Sequence, residues 1–166
     1  MPIHIYDTAT GRPVAMILRP GKTPSGLEVR GHLRRLVRQI RRHWPRTHIT
    51  IRGDGHYGRS EVTDWCEANA IDFIFGLSSS RPLHDKVGEA ADALRAQRAV
   101  DQRDVLRGYA ETTHRAKSWS RERRVAARIE ATRLGLDIRL DVTSLTGGTG
   151  DWLYDTIYCA RGQAEN

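Results

Sequence analysis

Cysteine is scarce in this chain: Cys66 and Cys159 are its two, far apart and with no partner at metal-site spacing. That scarcity argues against a disulfide framework or a zinc knuckle, and it fits a reducing cytoplasm. No apolar run approaches the roughly 20 residues a membrane helix needs, and the start, Met1-Pro2-Ile3-His4, lacks the basic-then-apolar pattern of a secretory signal. A soluble, cytoplasmic protein with no membrane partner is expected. Internal repeats and low-complexity tracts are missing as well, which excludes a solenoid.

What the chain does have is positive charge. Lys+Arg number 27 against 20 Asp+Glu, a formal net charge of +7 in 166 residues, and the excess comes from arginine. Such a field attracts a polyanion through phosphate contacts and counterion release. Arginine also pairs bidentately with phosphate, which lysine cannot do. Charge alone is equally compatible with a merely solvated basic surface.

Residues Ile3 to Tyr6 and Pro13 to Leu18 are short β-like runs around Asp7-Thr8-Ala9-Thr10-Gly11, an expected antiparallel hairpin. A loop dense in helix breakers follows, ending at Ser25, a candidate cap. From Leu27 to Trp44 the apolar residues Val29, Leu33, Leu36, Val37, Ile40 and Trp44 form one stripe of an amphipathic helix. Its other faces carry more arginines than a neutral solvated helix would need, and Pro45 stops it.

His48 to Arg52 reads as a strand running into Gly53-Asp54-Gly55-His56-Tyr57-Gly58, Ser60 to Asn69 as a helix, and Ile71 to Gly76 as a second buried strand. Strand, glycine-rich turn, helix, strand is a βαβ unit, so the two strands are expected to lie parallel. Leu83 to Val100 reads as a helix. Leu106 to Thr112, Arg123 to Thr132 and Leu136 to Val142 read as strands of a β-rich insertion with one face toward solvent. A last helix is expected from Asp151, with Leu153, Ile157, Ala160 and Ala164 as its apolar seam. Trp44, Trp65 and Trp152 are assigned to the core. The fold class is α/β with a mixed sheet.

Asp54 sits just past the carboxyl end of a strand, between two glycines that let backbone and ligand approach, at the sheet edge where α/β proteins bind ligands. A carboxylate there is a natural metal ligand for phosphate chemistry; the usual explanation of a lone Gly-Asp-Gly is a turn aspartate satisfying local amides. Tyr158, Arg161 and Glu165 stand at i, i+3 and i+7, on one face of the expected last helix. His56 can assist a metal or a scissile phosphate, or serve a neighbouring hydrogen bond. Trp119, among Lys117, Arg121, Arg123 and Arg124, can stack on a displaced base or be buried. Gly21-Lys22-Thr23 lacks the earlier glycine of a phosphate-binding loop, Met16 standing in its place, so nucleotide binding is not expected and Lys22 is read as a DNA contact.

The pattern Tyr158-Cys-Ala-Arg161-Gly-Gln-Ala-Glu165 resembles the third-acid signature of cut-and-paste insertion-sequence transposases. The run Ile51-Arg-Gly-Asp54-Gly-His-Tyr-Gly58 resembles the second-acid motif of one group of them, the Asp-Asp-Glu domain group 1 proteins. Tyr6 to Val14, Arg19 to Gly26 and Lys117-Ser-Trp-Ser-Arg121 are similar too, in family order over essentially the whole chain.

The resemblance implies a ribonuclease-H-like core, residues 1–80 with 148–166, interrupted by an α/β insertion at 81–147. It implies two Mg²⁺ or Mn²⁺ ions held by three carboxylates, Asp54 as the second and Glu165 as the third. Tyr158, Arg161, His56, Tyr57, Lys22, Lys117, Trp119 and Arg121 are the expected DNA contacts. The partners would be double-stranded DNA at transposon ends and target, with a possible homodimer on DNA, in a bacterial, nucleoid-associated setting. The family's first aspartate belongs on a core strand upstream of the hairpin, and Asp7, in the hairpin loop, is no substitute. The expectation is therefore a truncated transposase fragment, inactive in isolation. The rivals are a non-catalytic DNA-binding or regulatory remnant and another ribonuclease-H-like nuclease.

Overall fold

In the computed structural model, which describes residues 2–160, the opening hairpin forms as its turn chemistry predicts. Strand β1 (Ile3–Tyr6) pairs antiparallel with β2 (Pro13–Ile17). Asp7 accepts from Thr10 Oγ1 at 2.7 Å and Ala9 N at 3.1 Å, and these two hydrogen bonds hold its carboxyl below the usual aspartate range. It is a loop residue that shapes its own turn.

Helix α1 (Gly26–His43) begins after Ser25, whose hydroxyl accepts from Glu28 N at 3.2 Å. Such a cap contributes about 1 kcal/mol by satisfying an end amide. Val29, Leu33 and Val37 form the buried stripe. Trp44, expected in the core, is 63% exposed: it is the residue where the backbone leaves the helix, so its ring is not carried onto the sheet.

Strand β3 (Thr50–Gly53), helix α2 (Ser60–Ala68) and strand β4 (Asp72–Leu77) make the expected crossover unit, with β3 and β4 parallel and Gly53 opposite Phe75. Val62 and Cys66 of α2 are fully buried against Phe73 and Phe75. Burial pushes the Cys66 thiol up to about 12, so it acts as a small apolar side chain.

Helix α3 (Arg81–Val100) leads to β5 (Val105–His114), β6 (Arg123–Thr132) and β7 (Gly135–Thr143). These strands join the first pair in one sheet of order β3-β4-β7-β6-β5, antiparallel apart from β3 and β4. Strand β6 does not face solvent on one side as its alternation suggests. Leu83, Val87 and Ala91 of α3 cover Val125, Ala127 and Ile129, while Ala126 on the other face lies under the last helix.

That last helix, α4 (Trp152–Tyr158), is wound with π geometry, a rare form that occurs mostly as single turns within α-helices, frequently at functional sites. Leu153 seals it onto Ile74 and Ala126. Trp152, expected in the core, is 40% exposed, with its ring lying over Gly148. Gly148 has φ 75, and a Cβ there would fall on that ring, so both backbone and space demand glycine.

Candidate functional site

Side chains alternate along a strand, so β3 turns Ile51 toward α1 and α2 and Arg52 toward the opposite face. There Arg52 donates to the Ile157 carbonyl, tying β3 to α4, and burial lowers its pKa. Asp54 follows at the strand's carboxyl end. Its Oδ1 accepts from His56 N at 2.8 Å and lies 3.3 Å from His56 Nδ1. The Asp54 side chain is 42% exposed, so the turn-closing bond leaves it open to a ligand.

The glycines explain how other elements reach it. The Asp54-Gly55 backbone runs against Gly76 of β4, where an added Cβ would stand 3.1 Å from Gly55 N and 2.7 Å from Tyr158 Oη. Only a missing side chain at Gly76 lets β3, β4 and α4 converge. Gly76 in turn pairs with Asp141 of β7, whose neighbours Leu140 and Val142 point into the core on the other side. Asp141, 1% exposed, therefore sits on the Tyr158 face of the sheet. A cavity of about 780 Å³ opens between them, lined by Asp54, His56, Gly76, Asp141, Tyr158 and Cys159.

Nothing in the sequence analysis singles out Asp141, one polar position within the strand expected from Leu136 to Val142. Its signal is the alternation of that strand: a carboxylate amid an apolar strand, on the face opposite the core. The cavity brings Asp54, His56 and Tyr158 together, whereas Tyr57, in the same loop, packs against the core cluster on the α1 and α2 side of the sheet. Burial, then the charge of Asp54, raises the pKa of the Tyr57 hydroxyl, while the nearby Arg19 opposes the shift. Arg19 also donates to the carbonyl of Lys22, so exposed Lys22 belongs to this end of the molecule. Arg161 and Glu165 lie outside the described residues.

Lys117, Trp119 and Arg121 stand elsewhere. They occupy the β5–β6 connection, which leaves the sheet where β3 and β4 begin, since Arg124 pairs with Thr143 and Thr143 with Ile74. Arg121 faces Glu67 of α2 at 3.5 Å, and Ser120 donates to Asp64 at 2.7 Å. Trp119 is 6% exposed beneath Arg123, whose guanidinium carbon is 5.2 Å from the ring centroid. In this conformation its ring offers no open face to a base, and burial is the reading the structure favours; Lys117 and Arg121 remain exposed.

Among the described residues no three metal-binding side chains cluster tightly enough to hold an ion by themselves. The donor chemistry still suits a divalent cation in part: two carboxylates on one face, flanking a glycine that leaves space between them.

Residues 1–166 match the family model described as transposase DDE domain group 1. No curated protein and no solved structure matches the chain. The mixed five-stranded sheet with flanking helices is consistent with the ribonuclease-H-like architecture expected of that match.

Proposed function

Because this chain belongs to the transposase DDE domain group 1 family, whose members generally use divalent metal ions and act on DNA, we propose that it is catalytic-domain machinery for the metal-dependent cleavage and transfer of DNA strands at transposon ends. The observation that carries this reading is the convergence of the Asp54 loop, Asp141 and the Tyr158 hydroxyl around Gly76, in an open cavity at the carboxyl end of β3. Asp54 is the metal-binding acid there. Asp141 brings a second carboxylate to the same cavity, and Glu165 is assigned the remaining place. Bound Mg²⁺ or Mn²⁺ would neutralise charge on the scissile phosphate and favour ionisation of the attacking oxygen.

The chain's own groups have separate tasks. Asp54 holds positive charge at the strand end, and His56, hydrogen-bonded to it through its amide, fixes the carboxylate's orientation. Tyr158, placed over Gly76, offers a hydroxyl to a phosphate oxygen, with Arg161 assigned beside it and Tyr57 and Lys22 on the flank. The reaction assigned is hydrolysis of one strand at the transposon end, followed by attack of the freed 3′-hydroxyl on target DNA. Residues 1–80 with 148–166 act as the catalytic core, the insertion 81–147 extends the sheet of that core through β5, β6 and β7 and brings Asp141 to its cavity, and two copies would act on paired ends. No described helix is long and apolar enough to cross a membrane.

The test is Mn²⁺ binding followed by paramagnetic resonance, alongside a nicking assay on transposon-end DNA. Asp54→Asn should lose at least about tenfold in Mn²⁺ affinity, since losing even an outer-shell partner of a metal ligand costs about 10–100-fold. Equal affinity in wild type and variant, or nicking that survives Asp54→Asn, overturns the assignment. The exposed arginines of α1 favour a second reading, a DNA-binding product without chemistry. It predicts steeply salt-dependent binding and no cleavage under any metal.

A further inference from the structure

Much of the arginine excess is used inside the fold. Arg19 pairs with Glu28 at 2.7 Å, Arg124 with Glu111 at 2.6 Å, Arg107 with Glu130 at 2.6 Å, and Arg123 with Asp64 and Glu67 at 2.5 and 2.9 Å. Helix α1 differs. Arg30, Arg34, Arg35, Arg38 and Arg42 are all exposed, and among the described residues none is ion-paired with an acid. Arg35 and Arg42 meet only His32 and Gln39, at 2.7 and 3.4 Å.

At about 100° per residue these five fall within an arc of about 140°, whose midpoint lies roughly 130° round the helix from that of Val29, Leu33 and Val37. Like charges at i, i+4 destabilise a helix by about 0.2–0.5 kcal/mol a pair, so this arc weakens α1 unless an anion meets it. Gly31 falls near the arc's centre, between Arg30, Arg34 and Arg35. Glycine inside a helix is unfavourable, and packing does not require it here, because nothing lies within 4 Å of an added Cβ. Its effect is to expose helix backbone between arginine side chains, where a bulky anion can come close.

We propose that this face of α1 is a binding track for the phosphate backbone of duplex DNA, leading to the Asp54 cavity. From Arg30 to Arg42 it extends roughly 18 Å, along which one DNA strand presents about five phosphates. The helix also points the right way. Its first residue, Gly26, lies against Arg59 and Glu61, just after the Asp54 loop, and its last turn reaches the opposite sheet end, where Arg41 donates to the Asn69 carbonyl at 2.8 Å. A duplex following the arginines toward the amino end of α1 arrives at Lys22, Arg59 and Asp54. The track rests on the reading that the chain acts on DNA, and it adds where the flanking duplex runs.

The experiment uses the full chain and a fluorescein-labelled 30-base-pair duplex, with anisotropy titrations over a range of NaCl concentrations. Arg34→Gln/Arg38→Gln is compared with the equally charged control Arg95→Gln/Arg133→Gln, and circular dichroism checks that each keeps its helix content. The α1 pair should weaken binding about tenfold at moderate salt and flatten the salt slope by about 1.8, two phosphate contacts at about 0.9 each, while the control moves neither. Gly31→Leu keeps every charge and suits a helix, so it tests the contact even if the arginine variant folds poorly. It should weaken binding severalfold with the slope unchanged. Equal losses in the α1 pair and the control overturn the track while leaving DNA action standing. Wild type that binds no duplex overturns both, and α1-dependent binding that prefers single-stranded RNA overturns the assignment to duplex DNA.

Discussion

The two faces of the five-stranded sheet are built on different principles. One carries Phe73, Phe75, Val125, Ala127, Leu140 and Val142 under α1, α2 and α3, all six residues at most 3% exposed. The other carries Arg52, Asp141, Arg124, Arg128 and Glu130 under the short, π-wound α4, held by ion pairs and hydrogen bonds as much as by Leu153. Apolar burial is non-directional and stabilises wherever shape fits, whereas buried charge is tolerated only where each group finds a partner. The apolar face therefore carries the stability. The polar face can present carboxylates and a tyrosine at a cavity because the opposite face already holds the sheet together.

If that contrast is right, damage to the apolar face should be the most costly. Phe73→Ala, in a fully buried position, is expected to lower unfolding free energy by about 3–5 kcal/mol in urea titrations. A loss below about 1 kcal/mol would mean that this face does not carry the fold.

Next comes Arg123→Ala, which strips a guanidinium 1% exposed from Asp64 and Glu67. About 2 kcal/mol is expected, less than for a fully buried pair because Asp64 is still 41% exposed to screening solvent. Burial tends to raise the Asp64 pKa, but hydrogen bonds from Ser120 and Arg123 outweigh it and the carboxyl is net depressed. Its contribution is thus present above the ordinary aspartate value of 3.8 and fades as pH falls through the lower folded value. Melting temperatures at neutral pH and near pH 3 should accordingly differ less in Arg123→Ala than in wild type.

Gly76→Ala tests the polar face directly. The methyl would stand 2.7 Å from Tyr158 Oη, so α4 must shift, at an expected cost of about 1–2 kcal/mol, with Mn²⁺ affinity reduced beyond what stability explains. Thermal melts with and without Mn²⁺ separate the two effects. Smallest of all, Trp44→Ala should change stability by less than about 0.5 kcal/mol, since the ring is 63% exposed. A larger loss in urea titration would show that something covers the ring in solution.

Much of the fold was readable in the residues. The i, i+4 stripe of α1, the cap at Ser25, the crossover from β3 to β4 and the alternating strands β6 and β7 all stand within a few residues of their expected places. Local chemistry sets these: hydrogen-bonding caps, glycine and proline stops, and the side-chain periods of helix and strand. Misassignments occurred where neighbours decide. Trp44 and Trp152 look like core residues by composition, yet each sits where its helix begins or ends, away from the sheet. Trp119 looks like a stacking platform among cations, yet α2 places Asp64 and Glu67 to hold Arg123 over it.

Residue order alone determined the secondary structure, the basic character and, through the Asp54 motif, the family, because each is written in neighbours along the chain. Tertiary structure decided which charges are spent on one another and which are left for a ligand. It paired Arg123 with acids of α2 and Arg124 with one across the β5–β6 hairpin, left the exposed α1 arginines without acid partners among the described residues, and brought Asp141 to the cavity of Asp54, 87 positions earlier (141 − 54). Those outcomes depend on strand order and register, which bring together side chains that sequence separation conceals.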